Sequence, residues 1–139
     1  MSLHSLLAVA RHLSRNECEA IARRVLSFST ADECRVTISS GVRANTRFAV
    51  NQISTAGDNY NASVNIRSVF GKRVATVTVN RLDDAALREA VANCERIAKL
   101  APEDPELMPE LGPQQYDEPI VWSDATASLE PEARAEAVR

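Results

Sequence analysis

CRVTISSGVRANTRFAV at residues 34–50 and SVNIRSVFGKRVATVTVN at residues 63–80 decide the fold of this chain. Both alternate apolar and polar side chains with the two-residue period of a strand lying on a core. In the second stretch Gly71-Lys72 is the turn, and glycine at the first loop position suits type II′. Counting back from it pairs Ile66 with Val77 and Val64 with Val79 on one face. On the other face Arg67 meets Thr76 and Asn65 meets Thr78. In the first stretch Ser39-Ser40-Gly41 suits a three-residue loop with glycine in the left-handed position. That loop pairs Ile38 with Val42, Val36 with Ala44 and Cys34 with Thr46, leaving Arg35, Thr37, Arg43 and Asn45 opposite. The alternation runs on with Phe48 and Val50 inward, Arg47 and Asn51 outward. A slip of one residue would set Ile38 against Arg43, so the pattern specifies its register well. Two hairpins are therefore expected, each with an apolar and a basic-polar face, joined by a polar loop over Thr55 to Asn61.

The flanking segments supply the apolar cover. Leu3, Leu6, Leu7 and Ala10 fall at helical spacing, giving a short first helix. Ser14-Arg15-Asn16-Glu17 is a capping box. Behind it Cys18, Ile21, Val25 and Phe28 form one stripe, which predicts an amphipathic helix over 15–28. Asp83 caps a further helix with Leu87, Val91, Cys94 and Ile97 along one side, stopped by Pro102. Residues 102–119 hold five of the six prolines and many acids, a composition for an extended, solvated strap. Ile120-Val121-Trp122 reads as a short strand or anchor. Pro131 and Glu132 open a helix whose pattern still runs at Arg139, as if the chain were cut there. The expected fold is α+β, a two-layer sandwich of a four-stranded, mainly antiparallel sheet with amphipathic helices on one face. Its organisation is an α+β domain at 1–101, the strap at 102–119 and the start of a following segment at 120–139.

The charge is distributed unevenly. From Arg35 to Arg81 seven Lys and Arg face one acid, Asp58, whereas Leu82 to Arg139 carries fourteen acids and five bases. The overall charge of −3 thus conceals a basic sheet beside an acidic tail, an asymmetry that speaks of partners or solvation rather than fold. No stretch approaches the roughly 18 apolar residues of a membrane span. Three cysteines, far apart and without a CxxC pair, fit a reduced, cytoplasmic protein.

No catalytic constellation is visible. His4 and His12 stand eight residues apart, not at the spacing that puts two ligands on one helical face, and with Cys18 they read as solvated histidines beside a packed thiol. Asp83 and Asp84 suit a helix start, where acids meet the positive dipole end. Four glycines leave no phosphate-cradling loop. The candidate surface is the outward set on the sheet, with Arg43, Asn45, Arg47, Asn51, Arg67 and Thr76 at its centre. Antiparallel sheets often leave one face merely wet, but arginine interleaved with Asn and Thr also favours interfaces and carboxylates. Nucleic acid is disfavoured, because base stacking on a sheet needs exposed aromatics and Phe48 and Phe70 are expected inward.

At this point the order of motifs resembles a known family. Asp32 to Val36 is followed by Arg47-Phe48-Ala49-Val50-Asn51-Gln52-Ile53, then Ser63-Val64-Asn65-Ile66-Arg67 and the Gly71-Lys72-Arg73 turn. Ala75 to Asn80, Leu82-Asp83, Leu87, Ala90 to Ala98 and Leu111-Gly112-Pro113 complete the series. The series is similar to the amino-terminal domain of TldD/PmbA-family proteins, metallopeptidases also called modulators of DNA gyrase. In that family a helical His-Glu-x-x-x-His with a later Cys would hold zinc, and no such pattern occurs in these 139 residues. The resemblance therefore implies a non-catalytic domain with no cofactor of its own and zinc in a full-length parent. It also implies, as partners, a carboxyl-terminal domain, a like or related subunit in a dimer, and a peptide. The alternative is a stand-alone α+β protein-binding module whose acidic strap folds onto the basic face.

Overall fold

The computed structural model describes residues 12–50 and 52–137. The expected first helix around Leu3, Leu6, Leu7 and Ala10, with His4, lies outside them, as does Asn51. The described elements are helix α1 (Arg15–Phe28), strands β1 (Glu33–Ala49), β2 (Gln52–Phe70) and β3 (Arg73–Val79), and helix α2 (Asp84–Leu100). Two short helices follow, α3 (Asp124–Ala127) and α4 (Pro131–Glu136).

The α1 boundary follows from its cap. The Glu17 amide donates to Ser14 Oγ at 3.3 Å while the Ser14 amide donates to Glu17 Oε2 at 2.8 Å, closing the capping box. Asp83 does the same for α2, its Oδ1 accepting from the Ala86 amide at 3.0 Å. This hydrogen bond is the main cause holding the Asp83 carboxyl below its ordinary pKa.

The β2–β3 hairpin has the expected register throughout, with Val64 opposite Val79, Ile66 opposite Val77 and Arg67 opposite Thr76. Gly71 has φ 58°, while Val50 is the one described non-glycine residue with positive φ. Lys72 accordingly keeps negative φ, the pattern of a type II′ turn. Asp32 Oδ2 accepts from the Gly71 amide at 2.8 Å and pins the turn.

The first hairpin departs from expectation. No turn forms at Ser39-Ser40-Gly41, and β1 runs straight through these residues to Ala49. The chain reverses instead at Val50, whose φ is 53°, and β2 absorbs Thr55 to Asn61, expected as a loop. The antiparallel sheet therefore has three strands in the order β1-β2-β3, not four. The reason lies in parity. A three-residue loop at 39–41 and an uninterrupted strand both keep every even-numbered residue on one face, so alternation cannot tell them apart.

The described residues divide into two compact units, one of residues 12–42 and 60–110, the other of residues 43–50, 52–59 and 111–137. In the first, Ile21 and Val25 of α1 meet Val64 and Ile66 of β2 and Leu87, Ala90, Val91 and Cys94 of α2 in one buried cluster. Cys34, Val36 and Ile38 of β1 pack against it. Ile97, expected on the buried stripe of α2, is 45% exposed, and Ala98 takes its place inside. Helix α1 of 14 residues and α2 of 17 are ~21 and ~25 Å long. Strands of 17 and 19 residues extend about twice as far. Phe48 and Val50, expected inward, are 51% and 94% exposed.

In the second unit, Arg134 of α4 donates to Asp58 Oδ1 at 3.2 Å, to Thr46 Oγ1 at 3.4 Å and to the Leu129 carbonyl at 2.8 Å. Pro131 opens α4 as expected. Ile120, Val121 and Trp122 form no strand, and Trp122 Nε1 donates to Asp124 Oδ1 at 2.8 Å. None of the described helices is long and apolar enough to cross a membrane.

Candidate functional site

The expected polar face divides between the two units. In the first, Arg67 projects from β2 opposite Thr76, and beside them Asn65 Nδ2 donates to Thr78 Oγ1 at 2.9 Å. Only 14% of the Arg67 side chain is exposed, because an acidic residue from the segment after α2 lies against it. Arg67 Nη1 donates to Glu110 Oε1 at 2.7 Å, and Arg35 Nη1 of β1 approaches the same oxygen at 3.2 Å. The Glu110 amide donates to Glu33 Oε2 at 3.3 Å.

The segment leading to Glu110 is extended and largely exposed, and it is tied to the β2–β3 turn. The Asp104 amide donates to the Lys72 carbonyl at 2.8 Å. Lys72 Nζ donates to the carbonyls of Pro105 and Leu107 at 3.2 and 2.7 Å. Arg73 Nη2 pairs with Glu103 Oε1 at 3.5 Å. Val69 is buried at 4% exposure although it shares the polar face with Arg67. A space of about 130 Å³ remains there, lined by Glu33, Val69, Lys72, Leu107 and Met108.

Arg43, Asn45 and Arg47 belong to the second unit and are all exposed. Neither arginine forms an ion pair among the described residues. The Arg47 carbonyl accepts from Ser54 Oγ at 3.2 Å. Of the six residues expected to form one surface, Arg67 and Thr76 pair in the first unit, Arg43, Asn45 and Arg47 belong to the second, and Asn51 lies outside the described residues.

Three important charged residues were not evident from the sequence. Glu110 and Arg134 act across 43 and 76 residues, and no local pattern marks such partners. Glu95 is the third, 8% exposed on α2. Its Oε1 accepts from the Thr30 amide at 2.6 Å and Ser29 Oγ at 2.9 Å, and its Oε2 from Thr30 Oγ1 at 2.7 Å. Burial pushes its pKa up, but the Thr30 hydroxyl and amide, the Ser29 hydroxyl and the Lys99 charge together outweigh burial and lower it. The carboxylate staples the end of α1 to α2. A polar pair directly after a helix end was the available signal.

Among the described residues no three or more of His, Cys, Asp and Glu are grouped to hold a metal ion. Cys94 instead lies buried with its thiol directed at the Ile66 and Ala75 carbonyls, at 3.3 and 3.4 Å. Burial pushes the Cys34 thiol up, away from the reactive thiolate. Neither thiol belongs to a group of three or more metal-ligating side chains among the described residues.

Residues 34–98 match the family model described as PmbA/TldA metallopeptidase domain 1. The crystal structure of TldE from Thermococcus kodakarensis superposes with a TM-score of 0.69 at 23% identity, over 82% of this chain and 25% of that one. No curated protein matches the chain. The chain resembles the TldD/PmbA amino-terminal domain in sequence pattern and in fold, and it spans about a quarter of the length of the TldE structure.

Proposed function

We propose that this chain is the amino-terminal, non-catalytic domain of a TldD/PmbA-like metallopeptidase, serving peptide binding, subunit contact or domain docking through its polar sheet face. The observation that supports this best is the family match over residues 34–98, joined by a fold shared with one quarter of a longer chain. On this reading the full-length parent is a cytoplasmic, dimeric protein that carries out proteolysis, with zinc and the hydrolytic residues outside this domain. Arg43, Asn45 and Arg47 are the contacts to favour, because their side chains are exposed and neither arginine forms an ion pair among the described residues. Arginine forks suit carboxylates and backbone carbonyls, the groups a partner peptide or subunit presents.

Arg47→Glu in the full-length protein should weaken association with the partner subunit or peptide while leaving the thermal midpoint unchanged. Size-exclusion chromatography with light scattering and peptide-binding titrations measure this. Unchanged association in both assays would remove Arg47 and the docking role with it. A second reading, a self-sufficient protein-binding module, draws support from Glu110 already seated on Arg35 and Arg67. A reading frame that places a helical His-Glu-x-x-x-His further along the parent would decide for the peptidase.

A further inference from the structure

Two guanidinium groups on neighbouring strands converge on one carboxylate oxygen: Arg67 Nη1 at 2.7 Å and Arg35 Nη1 at 3.2 Å from Glu110 Oε1. Arg67 is largely buried, and a buried guanidinium needs an anion because its charge cannot be neutralised by losing a proton. Glu33 Oε2 meanwhile accepts from the amide of the same residue 110. Upstream, Lys72 Nζ reads the carbonyls of Pro105 and Leu107, and its own carbonyl takes the Asp104 amide. These groups recognise features any peptide has, plus one carboxylate at a fixed distance from them. They do not depend on the occupant being covalently part of this chain.

The resident occupant fits incompletely. About 130 Å³ stays open beneath Leu107 and Met108, Met108 itself is 77% exposed, and the Glu110 side chain remains 37% exposed. We propose that Arg35 and Arg67, with Glu33 and Lys72, form a binding site for a glutamyl residue in an extended acidic peptide, and that Glu110 is its displaceable internal occupant. Glu33 and Lys72 select a peptide over a free carboxylate ion, since an ion offers neither the amide nor the upstream carbonyls. This inference goes beyond the docking role of Arg43 and Arg47 and stands on different residues, so an unchanged Arg47→Glu variant leaves it intact.

The test uses the full chain and a fluorescein-labelled peptide, EDPELMPELG, the sequence of residues 103–112. Glu110→Gln should bind the peptide about three- to tenfold more tightly than the wild type, the range expected when a weakly held tethered competitor is removed. Adding Arg67→Gln to that variant should abolish binding, as should replacing the last Glu of the peptide by Gln. Equal affinity of wild type and Glu110→Gln overturns the proposal, and so does retained affinity without Arg67. Hydrogen exchange on the unmutated chain provides the independent check. Saturating peptide should accelerate exchange of the Glu110 amide, and no acceleration also overturns the proposal.

Discussion

Arg67 and Arg43 occupy odd-numbered, polar positions of the same long hairpin, yet their surroundings are opposite. Arg67 lies above strands whose reverse face is packed by α1 and α2, and its side chain is mostly covered, with Nη1 paired to Glu110 Oε1 at 2.7 Å. Arg43 has the exposed Val42 and Ala44 as its chain neighbours, and it makes no ion pair among the described residues. Identical residue type and strand parity therefore led to an ion pair in one unit and, in the other, to a cation with no ion pair among the described residues. Positive charge in a sequence marks an unoccupied cation only after the anions supplied by the chain itself are subtracted.

The sharpest way to expose this contrast is on the apolar face. Ile66→Ala should cost about 2–5 kcal/mol, because Ile66 is fully buried in the helix-covered core. Phe48→Ala, at a position of the same parity, should stay within about 0.5 kcal/mol. Urea unfolding of both variants measures the difference, and equal losses would mean that Phe48 is covered in solution.

The next effect is pH-dependent. The folded-state pKa of Glu95 is lowered, so its contribution is present above the unfolded value of ~4.3 and is lost as pH falls through the folded value. Glu95→Gln should cost about 1–3 kcal/mol at pH 7 and flatten the acid limb of stability against pH. A variant whose acid limb matches the wild type would show that other carboxylates govern it. The smallest effect tests the opening comparison directly. Arg67→Gln should lower stability by about 1 kcal/mol, and less at high salt, whereas Arg43→Gln should leave it unchanged. Equal effects on stability would erase the distinction drawn between the two arginines.

Local rules left most of the fold readable. The capping box at Ser14, the Asp83 cap and the glycine turn at Gly71 each act within a few residues, and the structure has all three. The Ser39-Ser40-Gly41 turn failed because the test applied to it, alternation, gives the same answer for a turn and for a straight strand. Exposure of Phe48 and Val50 was hidden because parity assigns a residue to a face and does not say whether anything covers that face. At the candidate site, Arg67 facing Thr76 was legible from the turn, whereas Glu110 and Glu95 depend on tertiary placement. The acidic composition of residues 102–119 hinted at a ligand for the basic face without saying which carboxylate would serve.

The uninterrupted course of β1 and β2 carries a consequence for how such a hairpin can change in length. Strands β1 (Glu33–Ala49) and β2 (Gln52–Phe70) are each unbroken, so the two-residue pleat fixes which residues of a strand share parity. A single residue gained in each strand near Gly41 would change the parity of Arg43 and Arg47 along the strand. Only growth by residues in pairs keeps the two arginines where they are. Natural variation in this hairpin, if its outward charges matter, is thereby confined to even steps, a constraint that a turn at Gly41 would never have imposed.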